Sequence, residues 1–256
     1  MLELPEVETV RAGLEQFVVP VVVDSVDVVD TRGLRPSGGL EDAALFETTL
    51  SGRQFTAVNR RGKYLWLILD DGTAMLAHLG MSGQFRVSTQ HAPQHRHTRI
   101  VITLDDGRDL RFLDQRTFGG LTLAPLVDGI PGPVTHIAPD PFEECFDVDE
   151  VVRRLCARRS AIKRSLLDQT LVSGIGNIYA DETLWRVRCH PETPCSRLSQ
   201  SEAVELLQTA CDVMAEAMSQ GGTSFDSLYV NVNGESGWFS RVLDAYGRED
   251  EPLPPM

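Results

Sequence analysis

No stretch of the 256-residue sequence approaches the ~20 consecutive apolar residues of a membrane span. The N-terminus, Met1-Leu2-Glu3-Leu4-Pro5-Glu6, lacks a basic segment followed by an apolar run, so no signal peptide is expected there. A cytoplasmic protein with no membrane partner is expected. Cysteine is sparse, and Cys145, Cys156, Cys189, Cys195 and Cys211 are an odd count at wide spacing, unlike a disulfide scaffold. Cys189 and Cys195 flank His190, but no second close pair completes a zinc finger. Positive charge is also short. Lys and Arg total 24 against 37 Asp and Glu, giving a net charge of -13. That argues against a protein held to DNA or an anionic membrane by bulk charge alone. Hydrophobic residues at 42% and charged residues at 24% exclude a disordered or collagen-like chain and permit one large domain or two modest ones.

Pro5 to Phe17 reads as a helix. Pro5 suits a first turn, Glu6 and Glu8 sit near the positive end of the dipole, and Val7, Val10, Leu14 and Phe17 form an apolar stripe. Strand-like runs follow at Val21–Val29, Phe55–Val58, Tyr64–Leu69, Thr73–Leu79, Arg99–Leu104 and Leu110–Leu113. Asp70-Asp71-Gly72 and Asp105-Asp106-Gly107 are hairpin turns between them. With no long helix interrupting, an antiparallel sandwich or barrel is expected. Ser88 to His97 reads as a solvated loop. The division expected is a β-sandwich domain over 1–125, a Pro- and acid-rich linker over 126–150, a helical domain over 151–248 and a short tail over 249–256. Helices are expected at about 151–158, 162–170, 176–185 and 199–219, followed by a Gly- and aromatic-rich loop from Gly221 to Trp238.

The overall acidity hides local basic regions. Between Val151 and His190, Arg153, Arg154, Arg158, Arg159, Lys163, Arg164, Arg186 and Arg188 face only Asp168, Asp181 and Glu182. One face can therefore meet phosphates while the rest stays acidic. Within this region, Leu171 to Trp185 reads LVSGIGNIYADETLW. Gly174 and Gly176 mark a sharp turn between two helix patterns. A helix starting near Asn177 would present free N–H groups to a phosphate, and the Asn177 amide could add to them.

The residues now carry a resemblance. LPEVETVR at Leu4–Arg11, RGKYL at Arg61–Leu65, HLGMSG at His78–Gly83 and DQRTFG at Asp114–Gly119 are similar to the formamidopyrimidine-DNA glycosylase and endonuclease VIII family of base-excision-repair enzymes. IKRSLLDQ at Ile162–Gln169, SGIGNIYADE at Ser173–Glu182, GGTSF at Gly221–Phe225, NGESGWF at Asn233–Phe239 and YGRE at Tyr246–Glu249 continue in family order.

The resemblance implies an α+β fold: an N-terminal helix with a two-layer antiparallel β-sandwich, then a helical domain with a helix–two-turn–helix motif. It implies a monomer gripping duplex DNA, damaged or abasic, with the target base flipped out. Met81, Arg116 and Phe118 match the residues that fill and wedge the vacated stack. Lys63, His78, Lys163 and Asn177 match DNA-backbone or lesion-site contacts, with Gly174 and Gly176 forming the clamp turn. Glu3, Glu6 and Lys63 match the catalytic set. Tyr179 is expected only to pack between the clamp helices.

Two departures shape the expected function. The family's nucleophile is an N-terminal proline, and the matching residue is Leu2. Leucine is too bulky to permit removal of Met1, so Met1 is expected to stay and the residue-2 nitrogen to be a peptide amide with a delocalised lone pair. The Met1 amine would then be displaced by up to ~3.3–3.6 Å of chain. At the other end, Leu253 stands where the family's zinc hairpin has its first cysteine, so no zinc and no other cofactor is expected. The expectation is therefore a divergent paralogue that binds damaged DNA without Schiff-base glycosylase or AP-lyase activity. The alternatives are a residual or reprogrammed glycosylase and AP lyase, or a protein-interaction scaffold with little DNA affinity.

Overall fold

A computed structural model describes residues 2–35, 43–222 and 243–247. All but the first two residues of the Gly221–Trp238 loop, and the whole 249–256 tail, lie outside the described residues.

The chain opens with helix α1 (Leu4–Val18), which has Pro5 in its first turn. Its stripe is Val7, Val10, Leu14 and Val18. Phe17 is only partly buried, so the stripe closes one residue later than the sequence spacing suggests. The first unit's long strands are β1 (Val21–Asp27), β2 (Gln54–Arg61), β3 (Tyr64–Leu69), β4 (Thr73–His78), β5 (Gly83–Thr89), β6 (Thr98–Leu104), β7 (Arg108–Asp114) and β8 (Gly120–Val127). A two-residue strand β9 (Ile130–Pro131) ends the series, and helix α2 (Ala43–Leu50) lies between β1 and β2. The strands run in the order β5-β7-β6-β1-β2-β3-β4-β8-β9, all antiparallel. Strand β1 belongs to both layers. It pairs with β2 through Val21 and Val22, then with β6 from Val23 to Asp27, with a register shift between Val23 and Ser25. The two layers and α1 enclose one core, which includes Leu14, Phe55, Leu67, Phe85 and Phe112.

This is the antiparallel two-layer domain expected, with four elements added, the two-residue β9 among them. Strand β5 is hidden in the sequence because its last residues, Ser88 and Thr89, are polar and read as loop. Strand β8 begins with Gly120 and contains Pro125, so its composition resembles a linker. Pro125 stands opposite Thr73, at the end of the β4–β8 ladder. Helix α2 has only Phe46 and Leu50 buried, too little periodicity to read.

The second unit contains α3 (Val148–Cys156), α4 (Ile162–Leu166), α5 (Asn177–Arg186) and α6 (Gln200–Ser219). Helix α4 is shorter than expected. The Asp168 carboxylate accepts the Thr170 N–H at 2.9 Å and its hydroxyl at 2.7 Å, and this side-chain turn replaces another helical turn. Helix α6 begins with Ser199, whose hydroxyl accepts the Glu202 N–H while Glu202 accepts the Ser199 N–H. The helices share a second core that also contains Leu4, from the opposite end of the chain. The N-terminus is thus sewn into the helical unit, and this sets the geometry of the site. Among the described residues, no helix is long and apolar enough to cross a membrane.

Candidate active site

Helix α1 points its N-terminus at the turn before α5. The Leu2 N–H donates to the Gly80 carbonyl at 2.8 Å, and the Leu4 N–H donates to the Gly174 carbonyl at 3.1 Å. Between them, the Glu3 side chain is almost fully buried. Its Oε2 accepts the Gly176 N–H at 2.7 Å and the Tyr179 N–H at 3.4 Å, and Oε1 accepts the Ile178 N–H at 3.0 Å. The Glu3 carboxylate therefore occupies the positive end of α5.

This corrects the expectation of a free anion site at that helix start. The Gly176, Ile178 and Tyr179 N–H groups are already satisfied by the chain's own carboxylate, and only Asn177 at the turn is exposed. The two glycines have a packing role. A Cβ on Gly176 would stand 2.2 Å from the Glu3 carboxyl carbon, and one on Gly174 would stand 2.4 Å from a Leu4 methyl. Tyr179 also does more than pack between helices. Its hydroxyl donates to Glu6 at 2.7 Å, tying α5 to α1.

Lys63 enters from the β2–β3 turn and is buried. Its ammonium donates to the Ile175 carbonyl at 2.9 Å. Burial pushes the lysine down from its ordinary value, while the Glu3 and Glu6 charges oppose that shift. Burial pushes Glu3 up to about 7, with Glu6 adding to the rise and Lys63 and the backbone N–H groups resisting it. A carboxyl poised near neutrality can accept or give a proton under ordinary conditions.

The wedge candidates lie on two neighbouring loops. Met81 is 44% exposed and Phe118 54%, which is inconsistent with core packing. Arg116 is exposed too, and its guanidinium lies 3.7 Å from the Met81 sulfur. Thr117, between Arg116 and Phe118, has a φ of +56°, an uncommon conformation for a β-branched residue. Thr117→Gly should remove that strain and raise stability by about 1 kcal/mol, net of glycine's entropy cost. A melting temperature that stays level or falls would show the turn to be unstrained.

His78 is mostly buried at the end of β4, its ring 4.8 Å from that of Tyr64 on β3. Burial, with the Arg35 and Lys63 charges, lowers it to about 4. It is therefore neutral near pH 7. Lys163 makes an ion pair with Asp181 at 2.7 Å, and both are only partly exposed. Its basic neighbours are largely occupied: Arg153 with Glu150, Arg158 with Asp168 and Arg186 with Glu216. Arg159, Arg164 and Arg188 remain exposed. Among the described residues, no group of three His, Cys, Asp or Glu is placed to hold a metal.

With this geometry in place, comparison with known proteins decides the class. The Formamidopyrimidine-DNA glycosylase N-terminal domain matches residues 1–121, and the Formamidopyrimidine-DNA glycosylase H2TH domain matches residues 137–228. The chain belongs to the formamidopyrimidine-DNA glycosylase family. The formamidopyrimidine-DNA glycosylase of Nocardioides sp. is 54% identical over 98% of this chain and 85% of its own length. That of Rhodococcus jostii is 53% identical over 99% of this chain and 88% of its own. Among solved structures, the Thermus thermophilus protein is 36% identical with a TM-score of 0.84, covering 98% of this chain and 90% of that one. The Lactococcus lactis protein in complex with abasic-site DNA is 31% identical with a TM-score of 0.84, over the same shares.

These likenesses overturn the expectation of a divergent paralogue without glycosylase or lyase activity. Relatives more than half identical along almost the whole chain carry the glycosylase name, and the matching folds were solved holding abasic or formamidopyrimidine-containing DNA. The changed residue 2 and the replaced zinc-hairpin cysteine weigh less than the agreement along 85–88% of those relatives' length.

Several residues that organise this site escape the sequence reading. Gln169 accepts the Gly174 N–H at 2.9 Å through its carbonyl and donates to the Ile175 carbonyl at 2.9 Å. It thereby orders the turn that Lys63 also grips. Ser82 and Asp114 brace the two loops that carry Met81, Arg116 and Phe118. Both lie inside quoted family motifs, so the signal is present in the sequence but carries no role there. Arg35 donates to the Phe118 carbonyl, a contact between residues far apart in sequence.

Proposed function

We propose that the protein is a DNA glycosylase with AP-lyase activity, acting on duplex DNA that carries a formamidopyrimidine-type lesion or an abasic site. The observation that carries this reading is Glu3, buried, poised near neutral pH and next to residue 2, with Lys63 and Glu6 around it. The names of the relatives and the abasic-site and Fapy-dG DNA in the matching structures support the substrate class. A DNA substrate also supports a cytoplasmic location.

In this reading the target base leaves the stack, and Met81, Arg116 and Phe118 fill the space. Arg116 addresses the edge of the orphaned base with its guanidinium donors. Lys63, His78, Lys163 and Asn177 contact the backbone or lesion site. His78 acts there as a neutral hydrogen-bonding group. Gly174 and Gly176 serve by letting the clamp turn close on Leu4 and Glu3. Glu3, with Glu6 and Lys63, handles protons while an amine at the N-terminus attacks C1′, expels the base and forms the imine that precedes strand cleavage. Residue 2 is leucine, so a proline secondary amine is not the attacking group.

Borohydride trapping on a duplex with one natural abasic site tests this. A covalent adduct is expected, and peptide mapping should place it at the N-terminus. Failure to trap under conditions that capture a relative would remove the lyase assignment, and release of formamidopyrimidine base then tests the glycosylase step alone.

Asn177→Ala should weaken binding to every duplex by about tenfold, the effect of losing one hydrogen bond to a charged group. Met81→Ala should instead reduce the preference for abasic over intact duplex. Competitive binding at fixed salt separates the two, and equal losses on all duplexes from both changes would contradict the wedge role of Met81.

A further inference from the structure

Met81, Arg116 and Phe118 extend from loops, yet an exposed loop does not hold three side chains in register unaided. Here the two loops are locked together by one hydroxyl. Ser82 Oγ donates to Asp114 Oδ1 at 2.5 Å and accepts the Arg116 N–H at 2.9 Å. Ser82 directly follows Met81, so a single side chain fixes the backbone beside both Met81 and Arg116.

Asp114 is almost fully buried, and its other oxygen accepts the Gly119 N–H at 2.7 Å. Its own backbone is anchored on both sides. The Asp114 N–H donates to the His97 carbonyl at 2.9 Å, and its carbonyl accepts Arg99 Nε at 2.8 Å. On the far side of the turn, Arg35 donates to the Phe118 carbonyl, while the Arg35 N–H donates to the Leu121 carbonyl at 2.9 Å. The left-handed Thr117 sits between these two anchors. The loops also touch directly, since a Cβ on Gly80 would lie 2.6 Å from Gly119 N and the Phe118 carbonyl carbon.

We propose that Ser82, backed by Asp114, is a positioning residue that presets Arg116 against Met81 before DNA arrives, and so sets discrimination between bases opposite the lesion. This rests on the reading above that these side chains enter the duplex. A preset wedge needs no loop ordering on binding, whereas a slack one loses affinity and angular precision together. A guanidinium distinguishes base edges only when its donors are held in direction.

The test uses Ser82→Ala, with Ser82→Thr restoring the hydroxyl. Ser82 is only half-buried, so the alanine does not hollow the core. Each protein is titrated onto duplexes with an abasic site opposite cytosine or adenine, and with 2-aminopurine beside the site. Wild-type protein is expected to raise 2-aminopurine emission and to prefer one opposite base. The alanine variant should bind the abasic duplex about tenfold more weakly, lose most of the emission rise and lose the opposite-base preference. Its borohydride trapping at saturating protein and its melting temperature should match wild type, and the threonine variant should recover the emission. No emission rise with wild type would overturn the insertion of the wedge, and the positioning role with it. A normal rise and preference in the alanine variant would overturn the positioning role alone. So would a parallel loss of trapping, which marks general damage, or a threonine variant that fails to recover.

Discussion

Glu3→Gln is expected to slow base excision by about 10²- to 10⁴-fold, the range for loss of a positioned proton-transfer group. The substitution keeps the shape of the side chain and removes its ability to titrate. In the native protein, burial raises Glu3 to about 7, so both protonation states are populated at working pH. Glutamine, with its carbonyl in the place of Oε2, can still accept the Gly176 and Tyr179 N–H groups. Its amide nitrogen, however, would then face the Ile178 N–H, since all three donors approach the native carboxylate. Two pH signatures follow. The wild-type rate should show a limb near pH 7 that disappears in the variant. Stability gives the second, through the difference in proton uptake between folded and unfolded chains. A carboxyl raised from 4.5 to about 7 binds more protons folded than unfolded between those values. Its contribution is full below about 4.5 and is lost as pH rises through 7. Thermal melts from pH 5 to 8 should show wild type losing stability relative to the variant with rising pH. Parallel curves, or excision within a few-fold of wild type, would mean that Glu3 only caps the helix.

Glu182→Ala carries the largest expected stability effect. Glu182 is wholly buried in the middle of α5, and its carboxylate accepts the N–H groups of Asp244, Ala245 and Tyr246 at 2.9, 2.9 and 2.8 Å. Alanine would take this acceptor from three backbone donors at once, at a cost of about 3–5 kcal/mol. For a chain of this size the melting temperature should fall by roughly 10 °C. Glu182→Gln keeps an acceptor oxygen and should lose about half as much. The same helix holds Glu3 at its N-terminus, so borohydride trapping measured well below the lowered melting point separates loss of stability from loss of the site. If alanine and glutamine melt with wild type, the 243–247 segment is held by something other than this carboxylate.

Much of the fold is legible because it is local. The 3.6-residue stripe of α1, the Asp-Gly turns after β3 and β6, and the capping box of α6 are set by neighbours a few positions apart. The family is legible from motifs in order, and those motifs contain Lys63, Met81, Arg116, Phe118 and Asn177, with Glu3 directly before the first of them. Strands β5 and β8 escape the sequence reading because their membership depends on partners, β7 and β4, rather than on their own composition. The inactive-paralogue expectation fails because it judges two departures, Leu2 and the Leu253 that replaces a zinc-hairpin cysteine, apart from the rest of the chain's likeness to its relatives.

By itself, the sequence determined the types of the elements with a local pattern, the order of the two units and the residue types available at the site. Only the tertiary structure decided how they are used. It placed the Glu3 carboxylate, not a free pocket, at the start of α5, and joined Glu6 to Tyr179 across 173 positions of chain. It gave Ser82 its two partners and Glu182 its three N–H donors. The physical reason is that a buried polar group must be satisfied by whichever partner packing brings within about 3 Å. Periodicity reports which face a residue turns inward, and it carries no information about the distant segment that will meet it there.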